Sequence, residues 1–328
     1  MSSLYVDRRG VALKADGEAL VFQENGQRIG TVPLAPLERV FLRGDVTLSS
    51  SLLGKLGARG IGVVVLSGRK AEPTLLLGRP HNDAARRLAQ YRLSGDADFR
   101  LAFSREVVRG KLRAQADHLD ERRESEPQSR YLLTLALRRI EAALSAVDQQ
   151  ASVGSLRGLE GAGAAAYFDG YADLLPERLH FQRRNRRPPK DPVNAALSLG
   201  YTLLHAEAVL ALYGAGFDPF IGFYHTLDFG RESLACDLVE PLRVEVDRHA
   251  LRLFRTETLR PEDFSLAEGA CLLGKAGRSR FYAEWEALAE RLRRRLGEAV
   301  SDLAAKVSPA GTAPALSLNG GEEEGDAF

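Results

Sequence analysis

The chain has 328 residues, of which 45% are hydrophobic and 27% charged, with a formal net charge of +1. That is the composition of a globular protein long enough for two domains with ample cores, and its two cysteines exclude a disulfide framework. A charge so close to neutral also excludes a global electrostatic field for nucleic acid, so any such contact has to come from local basic patches.

The first 85 or so residues read as β-rich. Short strand-like runs fall at Leu4–Val6, Val11–Lys14, Ala19–Phe22, Arg28–Val32, Arg39–Leu42 and Val46–Leu48, with hairpin turns at Asp16-Gly17 and Asn25-Gly26. A short helix is expected over Ser50–Leu56. Ile61–Leu66 is the best buried-strand candidate and Leu75–Leu77 is one more. These elements predict a small sheet-on-sheet domain, residues 1–85, with one helix.

From about Asp83 the period becomes helical. Helices are expected over Ala84–Leu93, Asp96–Leu119, Ser129–Val147, Ser152–Leu174, Pro192–Tyr213, Leu234–Val246 and Ser279–Val307. They predict an all-α domain over residues 86–307, so that the whole chain is of the α+β class. Leu251–Phe264 is short and partly alternating and takes no assignment. Residues 308–328 lack an apolar face and read as a disordered tail. Its acidic end is solvating, or alternatively competes for a basic patch.

Three stretches in the helical part carry chemistry. Ser155-Leu-Arg-Gly-Leu-Glu160-Gly-Ala-Gly places one carboxylate among very small residues. Glycines inside a helix each cost roughly 1 kcal/mol relative to alanine, and close approach of another helix or a ligand backbone would offset that. Glu160 is then either a ligand carried in on its own helix or an ordinary acid favoured by the helix dipole.

Next, Arg183-Arg184-Asn185-Arg186-Arg187-Pro188-Pro189-Lys190-Asp191-Pro192-Val193-Asn194 puts five cations within eight residues. Such a loop suits phosphates, and Asp191 before Pro192 reads as an N-cap with proline at the first helical position. The alternative is a solvated linker. A second basic run, Arg291-Leu-Arg-Arg-Arg295, is open to the same two readings.

Last, Phe223-Tyr-His225 precedes Ser233-Leu-Ala-Cys-Asp237-Leu-Val-Glu240-Pro241. Asp237 and Glu240 are three apart and share a helix face, with Ser233 as the expected N-cap. An imidazole with carboxylates suits Mg or Mn and tolerates Zn. The alternative is a surface helix with solvated acids and an unrelated histidine. Pro241 should bend or end the helix near Glu240. Tyr167 and His205 read as core residues, His249 as exposed, and Cys236 as a small buried hydrophobe.

In order and spacing, these stretches resemble the CRISPR-associated protein one family, the integrase and endonuclease of spacer acquisition. The matching residues are Glu160 after Leu-Arg-Gly, Arg186-Arg-Pro-Pro-Lys-Asp-Pro-Val-Asn194, Gly222-Phe-Tyr-His225 and Ser233-Leu-Ala-Cys-Asp-Leu-Val-Glu240. The resemblance implies Glu160, His225 and Glu240 as ligands of a divalent metal, Mn or Mg, with Asp237 the neighbouring acid of the catalytic set. It implies transesterification that joins prespacer 3′-hydroxyl ends to the repeat array. Arg183, Arg184, Arg186, Arg187, Lys190 and Asn194 would contact double-stranded DNA. It also implies a homodimer formed through the β domain, with a dimer of CRISPR-associated protein two bridging two homodimers. The rivals are a small-phosphoester metallohydrolase and a non-catalytic DNA-binding scaffold. The N-terminus lacks a signal-peptide core and no apolar run of ~18 residues stands out, so a cytoplasmic protein with no membrane partner is expected.

Overall fold

A computed structural model describes residues 2–66, 73–78, 81, 83–185 and 188–308. It has the expected α+β order. Strands β1 (Ser2–Asp7), β2 (Val11–Asp16), β3 (Ala19–Glu24), β4 (Gln27–Pro33), β5 (Leu37–Arg43) and β6 (Val46–Leu48) come first. Helix α1 (Ser50–Ala58) and strands β7 (Gly62–Leu66) and β8 (Pro73–Leu76) follow.

Two four-stranded sheets result. One has the order β1-β5-β7-β8, parallel except at its β8 edge; the other runs β4-β3-β2-β6. The β3–β4 hairpin closes in two residues because Asn25 and Gly26 both take positive φ, 50° and 80°, as a primed turn requires. Val6, Val40 and Leu42 of the first sheet form one core with Val11, Leu13 and Leu20 of the second and with Leu52 and Leu56 of α1. The opposite face of the first sheet, Phe41, Val64 and Leu66, belongs to the helical core. Its strands are therefore buried on both faces, which explains the unbroken apolar run of β7.

The helices are α2 (Ala84–Ser94), α3 (Ala97–Ser125), α4 (Arg130–Ser145), α5 (Val153–Asp173), α6 (Pro192–Gly214), α7 (Ser233–Val239), α8 (Arg243–Arg255) and α9 (Lys275–Val307). Caps set several starts. Asp96 accepts from the backbone N–H of Asp98 and Phe99, Ser152 from Ser155, and Asp191 from Asn194 with Pro192 behind it.

By length and composition α6 passes the test for a membrane span, contrary to the sequence reading, yet 67% of its apolar window is buried inside the protein. It is the central core helix. Gly200 on α6 admits Val246 and Trp285 so closely that a Cβ there would stand 2.5 Å and 3.3 Å from them.

Charges join the sheet to the helices. Glu207 of α6, almost fully buried, accepts from Arg39 of β5 and from Arg293 of α9, each at 3.1 Å. Arg293 also reaches Glu286 at 2.9 Å, and Glu286 accepts from Ser3 and Tyr5 of β1.

Three details depart from the sequence reading. The unassigned stretch, Leu251–Phe264, holds the end of α8 and runs into an unexpected hairpin, β9 (Phe264–Ala267) and β10 (Ala270–Leu273), turning on Glu268 and Gly269 with φ of 52° and 75°. The expected helix over Leu234–Val246 is two helices separated by a tight turn, Glu240–Leu242. That interruption follows from Pro241, as expected. His249 is buried against Phe281 and Trp285 rather than exposed. Residues 309–328, nearly all of the expected tail, lie outside the described residues.

Candidate active site

The site forms where α3, α5, the loop after α6, and the α7–α8 junction meet. Glu160 projects from α5, His225 from the loop, Asp237 from α7 and Glu240 from the turn that Pro241 creates. The Nζ of Lys111, a buried residue of α3, donates to Glu160 Oε1 and to Glu240 Oε2, the latter at 2.6 Å. Glu240 Oε1 accepts from Arg243 Nε at 2.9 Å and lies 4.0 Å from His225 Nε2. The structure thus gathers Glu160 and Glu240, which lie far apart in the chain, about one ammonium group, with His225 beside Glu240.

Local backbone geometry explains the aim of each group. Asp237 is fully buried and accepts four hydrogen bonds. Its Oδ2 takes the N–H of Phe223 at 2.7 Å and Tyr224 at 3.0 Å; its Oδ1 takes the N–H of His225 at 2.8 Å and the His225 Nδ1 at 2.7 Å. A carboxylate only accepts, so Nδ1 carries the proton and donates, which leaves Nε2 facing Glu240. Asp237 is therefore a positioning residue that fixes the His225 ring.

Gly222 makes this approach possible, because a Cβ there would sit 2.9 Å from Asp237 Oδ2 and 2.8 Å from the Ser233 backbone. Arg100 and Arg157 hold the same segment by donating to the carbonyls of Phe223 and Tyr224 at 3.1 Å and 2.7 Å. Ser233 does not cap α7 as the sequence suggests. It is the buried first residue of that helix, and its hydroxyl donates to Thr226 O at 3.0 Å. Gly110 of α3 faces Pro241, where a Cβ would meet the proline ring at 3.2 Å, so α3 is pressed against the turn bearing Glu240.

The electrostatics favour charged forms. Burial works against ionisation of Glu240, but Arg243 and then Lys111 outweigh it and hold the carboxyl well below the usual range. Burial likewise opposes charge on Lys111, yet Glu240 and Glu160 raise its pKa above the ordinary lysine value. Two carboxylates and an imidazole nitrogen are a donor set that Mn or Mg accepts. The ammonium between the carboxylates shows that the cleft already accommodates a cation. Among the described residues no three acidic, histidine or cysteine side chains stand close enough to hold an ion as they are.

The basic loop is more structural than its composition suggests. Asn194 is fully buried. Its Oδ1 accepts from the Asn185 N–H at 2.9 Å and Arg184 at 2.6 Å, and its Nδ2 donates to Arg183 O at 2.9 Å and Asp191 at 2.6 Å. Arg184 also reaches Ser198 and stacks over the Tyr201 ring at 5.3 Å. The side chains of Asn194 and Arg184 thus organise the loop from within, while Arg183 and Lys190 are exposed. Arg186 and Arg187 lie outside the described residues. The loop docks on the β9–β10 hairpin through Cys271 N–H to Pro189 O, 2.7 Å. In the second basic run Arg293 is taken up by the Glu207 network and Arg295 pairs with Glu245 at 3.0 Å.

The small face of α5 divides. Gly163 and Gly170 are buried against neighbouring helices, whereas Gly158 and Gly161, flanking Glu160, have nothing within 4 Å of a would-be Cβ. Tyr167 is core, bonded to His118 at 2.8 Å.

Residues missed from sequence are Lys111, Arg243 and Tyr201. The ring of Tyr201 carries Arg243 at 4.8 Å, and its hydroxyl donates to buried Asp247, whose carboxyl burial pushes up to about 6. A lysine on the apolar stripe Val107, Val108, Lys111, Leu112 was the available signal.

Beside the site, His205 Nε2 meets Glu232 at 2.6 Å, near the half-buried Cys236. Burial alone would depress this imidazole, but Cys236 and Glu232 outweigh burial and push it up to about 9. A raised histidine stabilises the fold fully below its ordinary value near 6.5 and loses that contribution as pH rises through about 9. Urea unfolding should therefore show stability falling by roughly 1–2 kcal/mol between neutral pH and pH ~10, and His205→Gln should flatten that part of the profile.

Comparison with known proteins agrees with this architecture. The family described as "CRISPR associated protein Cas1" matches residues 4–287. A "CRISPR-associated endonuclease Cas1 1" of Thermodesulfovibrio yellowstonii is 42% identical, over 87% of this chain and 91% of that protein. TM1797, a Cas1 protein from Thermotoga maritima, superposes with a TM-score of 0.81 at 24% identity, over 99% of this chain and all of that one. A chain of a Cas6-RT-Cas1–Cas2 complex superposes at 0.78 and 24% identity, over 93% of this chain and 35% of that one.

Proposed function

The chain belongs to the Cas1 family of CRISPR-associated endonucleases, and from that premise we propose that it is a metal-dependent DNA integrase of CRISPR adaptation. It joins the 3′-hydroxyl ends of a prespacer to the repeat array. The observation that carries this reading is the bridging of Glu160 and Glu240 by one ammonium group, with the His225 ring, fixed by Asp237, beside Glu240.

In this reading Glu160, Glu240 and the Nε2 of His225 hold one divalent ion, Mn or Mg. Such an ion lowers the pKa of the attacking hydroxyl and neutralises charge on the phosphate. The reaction exchanges one phosphodiester for another. The incoming 3′ oxygen bonds to phosphorus and gives up its proton, the original bond to the 3′ oxygen breaks, and the departing oxygen takes up a proton. Asp237 holds the His225 ring through Nδ1 with Nε2 aimed inward, Arg243 orients Glu240, and Arg157 and Arg100 fix the loop that bears His225. The open flank at Gly158 and Gly161 lets a DNA backbone come near Glu160. Arg183 and Lys190 supply exposed charge for phosphates, and Arg186 and Arg187 extend the same run.

The partners follow from the family. Residues 1–85 form the homodimer contact, residues 86–307 carry catalysis, and a Cas2 dimer bridges two homodimers in the cytoplasm. The likeness to a chain of a Cas1–Cas2 complex supports that assembly.

The test is strand transfer. The purified protein is incubated with a short duplex bearing free 3′-hydroxyls, a supercoiled repeat-containing plasmid and Mn or Mg, with and without the cognate small partner. Joined or nicked plasmid that requires the metal is expected. Retained hydrolysis of a small diester without DNA binding would instead make the protein a metallohydrolase. DNA binding without product, partner present, would make it a scaffold.

A further inference from the structure

We infer that Lys111 is the resident counter-cation of the active site. It holds Glu160 and Glu240 together in the metal-free protein and releases at least one of them when a divalent ion enters. The inference rests on the proposed reading that these two glutamates are ligands.

Several observations support it. Lys111 lies on the buried stripe of α3, where a hydrophobic residue would serve packing as well, yet its ammonium is bonded to two carboxylates brought by two other elements. Among the described residues no other cation bonds to both: of the two acids, Arg243 serves Glu240. Close packing of Gly110 against Pro241 fixes the distance from α3 to the Glu240 turn, so the lysine spans the gap between the two acids.

Two like charges held this close need an intervening cation, and burial strengthens the need. The oxygens that Lys111 holds, Glu160 Oε1 and Glu240 Oε2, are those a divalent ion between the two acids would use. An ammonium and a metal ion cannot both occupy that point, so they exchange.

Exchange has a signature that a merely structural lysine lacks: removing Lys111 strengthens metal binding while weakening the metal-free fold. Mn binding is measured by calorimetry on the full chain, and thermal unfolding is followed with and without Mn, for the wild type, Lys111→Met and Lys111→Arg. Lys111→Met should melt lower without metal, bind Mn at least about tenfold more tightly because no competing state has to be vacated, and gain more from Mn on heating. Lys111→Arg should return both readouts toward wild type.

Mn affinity unchanged or weaker in Lys111→Met, with wild-type binding intact, overturns the inference alone. An absence of Mn and Mg binding to the wild type overturns the reading beneath it as well. Should Lys111→Met fail to fold, the wild type still decides. Nitrogen-15 NMR should show a protected Lys111 ammonium signal that shifts or disappears on saturation with Mg, and a signal unmoved at saturation refutes exchange.

Discussion

His225→Ala is expected to lower metal-dependent joining and nicking at least about 100-fold while leaving DNA affinity near wild type. The ring is three-quarters buried, its Nδ1 is fixed by Asp237, and Nε2 is the one nitrogen of the proposed ligand set. Alanine removes that donor without disturbing the hydrogen bonds that Asp237 receives from three backbone N–H groups. The fold should therefore survive, which separates loss of chemistry from loss of protein. Circular dichroism, a DNA-binding titration and the strand-transfer assay run on one preparation would check it. Activity within a few-fold of wild type would remove His225 from the chemistry.

The largest effect on stability is expected at Glu207. Glu207→Ala leaves the partly buried guanidinium groups of Arg39 and Arg293 facing each other without the carboxylate between them. Breaking a buried ion pair from one side typically costs 3–5 kcal/mol, and a loss of about that size is expected here. Arg293 keeps Glu286 and Glu38, which limits the loss. Because Glu207 joins α6 to β5 and α9, unfolding in denaturant should also become less cooperative, with the β-sheets and the helices separating. A loss under about 1 kcal/mol, the scale of an exposed pair, would show that the apolar face of the first sheet alone holds the two parts together.

Much of this was legible in the chain. The alternating runs and the Asn25-Gly26 turn marked the β-rich part, and Asp191-Pro192 marked the start of α6, because each is a local backbone constraint that packing does not override. Pro241 told where α7 would stop. The hairpin at Phe264–Leu273 escaped because its turn, Glu268-Gly269, has no hairpin-typical first residue and its strands have only four residues each. Glu160, His225 and Glu240 were readable as an ordered set, since their spacing repeats a family pattern. Lys111 and Arg243 were not, because a lysine in a helix and an arginine after a proline look solvated until the fold brings acids to them. Asn194 shows the converse error. An asparagine in a basic loop suggests a DNA contact, yet all its polar atoms are used to shape that loop.

In the proposed function one divalent ion is held jointly by Glu160, Glu240 and the Nε2 of His225. Pulsed electron paramagnetic resonance of Mn bound to the full chain reads those ligands. Nitrogen-14 coupling from one imidazole is expected in the wild type, and its loss in His225→Ala. Bound Mn with no nitrogen coupling in the wild type, or coupling that survives the substitution, would contradict that ligand set.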